Sequence, residues 1–271
     1  MPATAQQLRL DDYDLAWLEA GAGRPLLLIH GSLCDYRFWA PQMQPLSARR
    51  RVIAVSLRHY WPEAWDGRGG GFSVEQHAAD LAALIRALDA GPVDCVGHSR
   101  GGSVAYALAQ HAPELLRSLV LAEPGLCVAG SCEPSDLDRG AFRERALQLL
   151  RERQPDAALQ LFTDTVSGAG TWDKMVPAIK RMMRDNANTL FGQVGESYAS
   201  VGADNALRWA RPLLLVGGAR SPEPYPSVLA GLERLLPGAR RIAIPAASHA
   251  MNLWNPGAFN QALESFLDAA P

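Results

Sequence analysis

The stretch Val96-Gly97-His98-Ser99-Arg100-Gly101-Gly102 holds one serine between two glycines, in the order Gly-x-Ser-x-Gly. It follows the apolar run Pro92 to Val96 and opens a helical pattern, Val104-Ala105-Tyr106-Ala107-Leu108-Ala109. A strand that turns sharply into a helix needs glycine where side chains would collide, and such a turn holds the serine hydroxyl clear of the backbone. The N-terminus of the following helix places partial positive charge beneath it. The chemistry this offers is nucleophilic attack. A serine hydroxyl is a weak nucleophile near neutrality and needs a base, a task suited to imidazole. Six histidines are available: His30, His59, His77, His98, His111 and His249.

Glycine-rich strand-to-helix turns recur in many α/β proteins, so the meaning of Ser99 depends on the elements around it. Residues 6 to 19 alternate loosely about Asp11-Asp12 and read as a β-hairpin. Pro25 to Ile29, Arg51 to Val55, Leu116 to Ala122, Arg211 to Gly218 and Arg240 to Ile244 are short, nearly continuous apolar runs, as expected of strands buried on both faces of a parallel sheet. Helical patterns separate them: Tyr36 to Leu46, a segment opened by the capping box Ser73/Gln76, Ser227 to Leu236 and Pro256 to Leu267. Strands alternating with amphipathic helices predict a parallel, doubly wound sheet with ligands at the carboxyl ends of its strands.

From about Cys127 to Trp209 the buried-strand signature disappears. Four helical segments replace it: Leu137 to Arg153, Asp156 to Val166, Trp172 to Arg184 and Thr189 to Ala199. This predicts a core of residues 1–126 and 210–271 with a helical cap over 127–209. The 271 residues are 48% hydrophobic and 20% charged, enough to bury a large core. Lys and Arg number 26 against 28 for Asp and Glu, with no basic block of the kind nucleic-acid binding needs. The expected partner is a small molecule, with no nucleic acid and no membrane. Met1 to Gln7 has neither a basic nor an apolar leader pattern, which predicts a cytoplasmic protein. Cys34, Cys95, Cys127 and Cys132 form no CxxC pair or metal-site spacing, and neither a cofactor nor a metal is expected.

The leading hairpin, His30-Gly31 after the first buried strand, Gly97-x-Ser99-x-Gly101, the helical insertion and Ser248-His249 after the last strand together resemble the α/β-hydrolase superfamily. The resemblance implies a mostly parallel sheet of about eight strands, with the cap inserted between the sixth and seventh. It also implies a triad of nucleophile, acid and histidine, with Ser99 first and His249 last. His30 would then shape the oxyanion loop and His98 the elbow, while His59, His77 and His111 fall in surface loops or helices.

The acid departs from the common pattern, which places an aspartate just beyond the strand that follows the cap. That stretch here is Gly217-Gly218-Ala219-Arg220-Ser221-Pro222. Glu223 is the nearest carboxylate, but Pro222, Pro224 and Pro226 mark it as a solvent-facing loop residue. Glu123 stands at the end of the strand after the elbow helix, in an apolar setting where a carboxylate needs a partner. Glu123 is therefore preferred to Glu223. In this the sequence resembles the zearalenone lactonase subgroup, with Glu123-Pro124 and an acid-free Gly218-Ala219-x-x-Pro222.

Family geometry assigns the oxyanion donors to the backbone N–H of Arg100 and of Ser32, or else Leu33. The Arg100 side chain has two readings, a pocket group for a substrate carboxylate or phenolate or, preferred, an ion pair with Glu123 or Asp35. Leu33, Trp61, Trp65 and Trp172 are candidates for an apolar, partly aromatic pocket. The expected activity is hydrolysis of a small, largely apolar ester or lactone through an acyl-enzyme on Ser99. Carbon–carbon bond hydrolysis of a diketone by the same triad, or a low-turnover ligand-binding or cyclase role, are the alternatives. Dehalogenase and epoxide hydrolase chemistry needs a carboxylate where Ser99 stands.

Overall fold

The apolar runs become strands in the computed structural model, which describes residues 3–10, 12–131, 139–194, 196 and 200–270. In chain order the strands are β1 Thr4–Arg9, β2 Asp14–Ala20, β3 Pro25–Ile29, β4 Arg51–Ser56, β5 Val93–His98, β6 Leu116–Ala122, β7 Cys127–Val128, β8 Ser200–Val201, β9 Leu213–Gly218 and β10 Arg240–Ile244. Eight of them form one sheet in the order β1-β2-β4-β3-β5-β6-β9-β10. The β1–β2 and β2–β4 pairs are antiparallel and every other pair is parallel. β7 and β8 pair with each other outside this sheet, an addition that two-residue strands give no periodic signal for.

Alternation along each inner strand sends successive residues to opposite faces. Leu27, Ile29, Leu119 and Leu121 join one core, packed by the helices Val74–Ala87 and Arg100–His111. Leu26, Leu28, Val120 and Ala122 join the other, packed by Ala40–Ser47 and Pro256–Ala269. The inner strands thus carry apolar residues on both sides, which is why they read as continuous runs.

The insertion has a core of its own, built from residues such as Leu147, Leu159, Phe162 and Leu190, which Leu33 joins. Its helices are Arg139–Arg151, Pro155–Ser167, Thr171–Lys174, Pro177–Asp185 and Thr189–Gln193. The single helix expected over Trp172 to Arg184 is two, because Pro177 holds Val176 in an extended conformation. The helix expected to reach Ala199 ends at Gln193, and Gly195 and Ser197 to Ala199 lie outside the described residues. So do Asp11, Cys132 and the first residues of the segment expected from Leu137. Tyr36 to Leu46 begins as a 3-10 turn, Tyr36–Trp39, before the α-helix. Ser73 caps its helix by accepting from the Gln76 N–H, but the Gln76 side chain turns to Asp80 and leaves the capping box half made. Among the described residues no helix is long and apolar enough to cross a membrane.

Candidate active site

Ser99 leaves β5 at φ 53° and ψ −124°, a conformation that L side chains rarely adopt, and stands at the N-cap position of the helix Arg100–His111 with its side chain free of capping. Its N–H still donates to the Ala122 carbonyl at 2.9 Å, so the elbow is stitched to β6. The flanking glycines are required by crowding. A Cβ on Gly97 would lie 2.4 Å from the Gly101 carbonyl oxygen, and one on Gly101 2.3 Å from that of His30. Gly101→Ala is expected to cost about 3 kcal/mol, the upper end of overpacking, read as a lowered midpoint in a urea melt. An unchanged midpoint would refute the close approach of helix and strand.

His249 follows β10, and Glu123 follows β6. Glu123 Oε2 accepts from His249 Nδ1 at 2.7 Å, and His249 Nε2 lies 3.0 Å from Ser99 Oγ. Glu123 is 1% exposed and His249 4%. A carboxylate buried this far needs partners, and the second is the Gly218 N–H, 2.8 Å from Oε1. The end of β9 therefore supplies a donor to the carboxylate. Glu123 itself turns at φ 44°, and Gly102 lets that turn approach, since a Cβ there would meet the Pro124 Cα at 2.8 Å. The Tyr225 ring stacks on His249 at 4.0 Å between centroids, a packing contact with no motif in the sequence. With Nδ1–H directed to Glu123, the Nε2 lone pair faces the serine hydroxyl.

The other histidines divide by environment. His98 Nε2 lies 2.8 Å from the His249 carbonyl oxygen and ties the elbow to the histidine loop. His30 bridges Gly31 O and the Leu57 N–H, shaping the turn after β3. Burial pushes the His30 pKa down to about 4 and those of His77 and His98 well below the usual value. His77 thus corrects the expectation of a surface position: it is fully buried and accepts from Arg100 Nη1 at Nδ1, 2.9 Å. His59 is partly buried against Trp65 and Phe72, and His111 is exposed.

Arg100 makes an ion pair, with a different partner from either expected. Its guanidinium takes Glu196 of the insertion, Nε to Oε2 at 2.9 Å, while Asp35 binds Arg37 and Asn186. No periodicity or motif marks Glu196. Glu223 is exposed and accepts from the Ser227 N–H at 3.3 Å, whereas His249 Nδ1 bonds Glu123.

Ser99 and His249 open on a cavity of about 490 Å³, counting the solvent at its mouth. Ser32, Phe38, Phe162, Met175, Ile179, Met183 and Leu253 are among its lining residues, and among the described residues no Asp, Glu, Lys or Arg lines it. Leu33, Trp61, Trp65 and Trp172 stand elsewhere. Leu33 and Trp172 pack in the core of the insertion. Trp61 lies beneath the Arg37 guanidinium, and Trp65 stacks on His59. Large rings at these positions serve packing, and the cavity takes its apolar surface from methionine, isoleucine and phenylalanine.

Residues 26–262 match the alpha/beta hydrolase family. The 2-(acetamidomethylene)succinate hydrolase of Mesorhizobium japonicum is 26% identical over 268 residues, covering 93% of this chain and 90% of that protein. A 2-hydroxy-6-oxo-2,4-heptadienoate hydrolase of Pseudomonas putida is 37% identical over 108 residues, 38% of each chain. Among solved structures, a thermophilic esterase from Thermogutta terrifontis superposes with a TM-score of 0.79 at 21% identity, over 100% of this chain and 99% of the esterase, a likeness of fold.

Proposed function

The chain belongs to the alpha/beta hydrolase family, and from that premise we propose that it is a serine hydrolase of small, uncharged, largely apolar esters or lactones. Ser99 Oγ attacks the substrate carbonyl carbon as its proton passes to His249 Nε2. The carbonyl oxygen becomes an oxyanion held by the N–H of Arg100, the first residue of its helix and so without an intrahelical acceptor, and by that of Ser32. Collapse of the intermediate breaks the ester C–O bond, and His249 hands its proton to the departing oxygen. Water, deprotonated by the same nitrogen, then releases the acyl group and regenerates Ser99. Glu123 holds the tautomer and balances the imidazolium. A glutamate in this place is the feature the chain shares with zearalenone lactonase-like members, and the helical insertion acts as the cap.

The hydrogen-bonded chain Ser99–His249–Glu123, opening on a cavity lined by no charged side chain among the described residues, carries this reading. The substrates named for the two relatives above, a succinate and a heptadienoate, bear carboxylates. Burying an unpaired carboxylate costs several kcal/mol, so the lining favours an uncharged acyl group. Carbon–carbon bond hydrolysis by the same triad is the second reading, favoured by the 37% identical segment.

The test compares p-nitrophenyl butyrate with the p-nitrophenyl half-ester of succinic acid. We expect kcat/KM to favour the butyrate by about 100-fold, the equivalent of roughly 3 kcal/mol. Equal or greater activity on the half-ester would overturn the choice of substrate class. Cleavage of a diketone in preference to either ester would move the assignment to the second reading.

A further inference from the structure

Two side chains of the insertion, three positions apart, reach the two residues to which the reaction above assigns the oxyanion donors. Gln193, the last residue of its helix and 2% exposed, accepts the Ser32 hydroxyl proton at Oε1, 2.8 Å. Glu196 grips Arg100 with both carboxylate oxygens, and His77 and the Phe72 ring close the socket. Neither Gln193 nor Glu196 lines the cavity beside Ser99.

Backbone donors stabilise an oxyanion only when they stand 2.7–3.1 Å from where its charge develops, and misplacement by about 1 Å costs up to 100-fold in rate. The Ser32 turn is poorly fixed by its own backbone. It is closed by the Cys34 N–H to the Gly31 carbonyl at 3.4 Å, with Leu33 at φ 60°. The side chain of Ser32 is the added constraint. Arg100 begins its helix from a strained serine, and its guanidinium, 5% exposed, is locked on three sides.

The geometry points to Gln193 and Glu196 as positioning residues that set both donors of the oxyanion hole from the insertion. The inference rests on the reading of Ser99 as nucleophile and of Ser32 and Arg100 as donors. The insertion and the two donor residues are then tied together by side chains.

Gln193→Leu tests it without leaving a buried ion unpaired. With active sites counted by fluorophosphonate titration, we expect kcat on p-nitrophenyl butyrate to fall about 10- to 100-fold. KM should stay within about twofold, and the inhibition constant of phenylboronic acid, a tetrahedral adduct on serine, should rise in step with the loss in kcat. Glu196→Gln should act in the same direction as Gln193→Leu. A purely structural role predicts fewer titratable sites with unchanged kcat per site, and that outcome overturns the inference. If wild-type protein reacts with the fluorophosphonate and Gln193→Leu keeps its kcat, the positioning role alone falls. If wild-type protein does not react, the reading of Ser99 falls and takes this inference with it.

Discussion

Ser99→Ala is expected to lower kcat on p-nitrophenyl butyrate by about a millionfold, the scale seen when a triad nucleophile is removed, while leaving the fold intact. The substitution deletes one oxygen, which makes the 3.0 Å approach to His249 Nε2. The elbow depends on the backbone, through the Ser99 N–H to Ala122 O and the Gly102 and Gly125 N–H groups on Ser99 O, and alanine keeps all three bonds. A melting midpoint within about 2 °C of wild type is therefore expected, corresponding to less than about 1 kcal/mol. Wild-type protein should take up one fluorophosphonate per chain at Ser99 and the variant none. Retained turnover in the variant would remove Ser99 as nucleophile. A folded wild-type protein that stays unlabelled would favour the ligand-binding or cyclase alternative, because an unactivated serine does not react.

Glu123→Gln should be the second largest loss, about ten-thousandfold in kcat, with Glu223→Gln within about twofold of wild type as its control. The amide is isosteric and can still accept from the Gly218 N–H. Its NH2 group then faces His249 Nδ1, which must present a lone pair, and the imidazole proton moves to Nε2. A ring in that tautomer cannot take the serine proton. Because the geometry is preserved and the tautomer is not, KM should change far less than kcat. If Glu223→Gln is the variant that loses activity, the acid has been misassigned.

These two expectations draw on different parts of the chain. The elbow is legible in the sequence because its constraint is local. The collisions that exclude side chains at Gly97 and Gly101 arise between neighbours in one strand-turn-helix unit or with the adjacent strand, so the pattern shows as residue types at fixed spacing. The inner strands are legible for a related reason, since a parallel sheet covered on both faces demands uninterrupted apolar residues. Helix boundaries in the insertion are less so: Pro177 splits one expected helix, and another ends at Gln193, short of the expected Ala199.

The partners of charged and aromatic side chains are the least legible. Arg100, expected to pair with Glu123 or Asp35, meets Glu196 instead, 96 positions away. Trp61, Trp65 and Trp172 have the right chemistry for a pocket and the wrong places. His77 reads as a surface helix residue and is enclosed.

The glycine-bracketed Ser99 is thus what the sequence alone determined, together with the sheet that carries it and, through the order of parts, His249. The missing aspartate after β9 also directs attention to Glu123. Only the tertiary structure decided that the Glu123 carboxylate, 126 positions from His249, reaches Nδ1, and that the end of β9 steadies it with a peptide N–H. The reason is physical: backbone conformation follows from local sterics and patterning, whereas the direction of a side chain at a strand end is set by what folds against it from elsewhere in the chain.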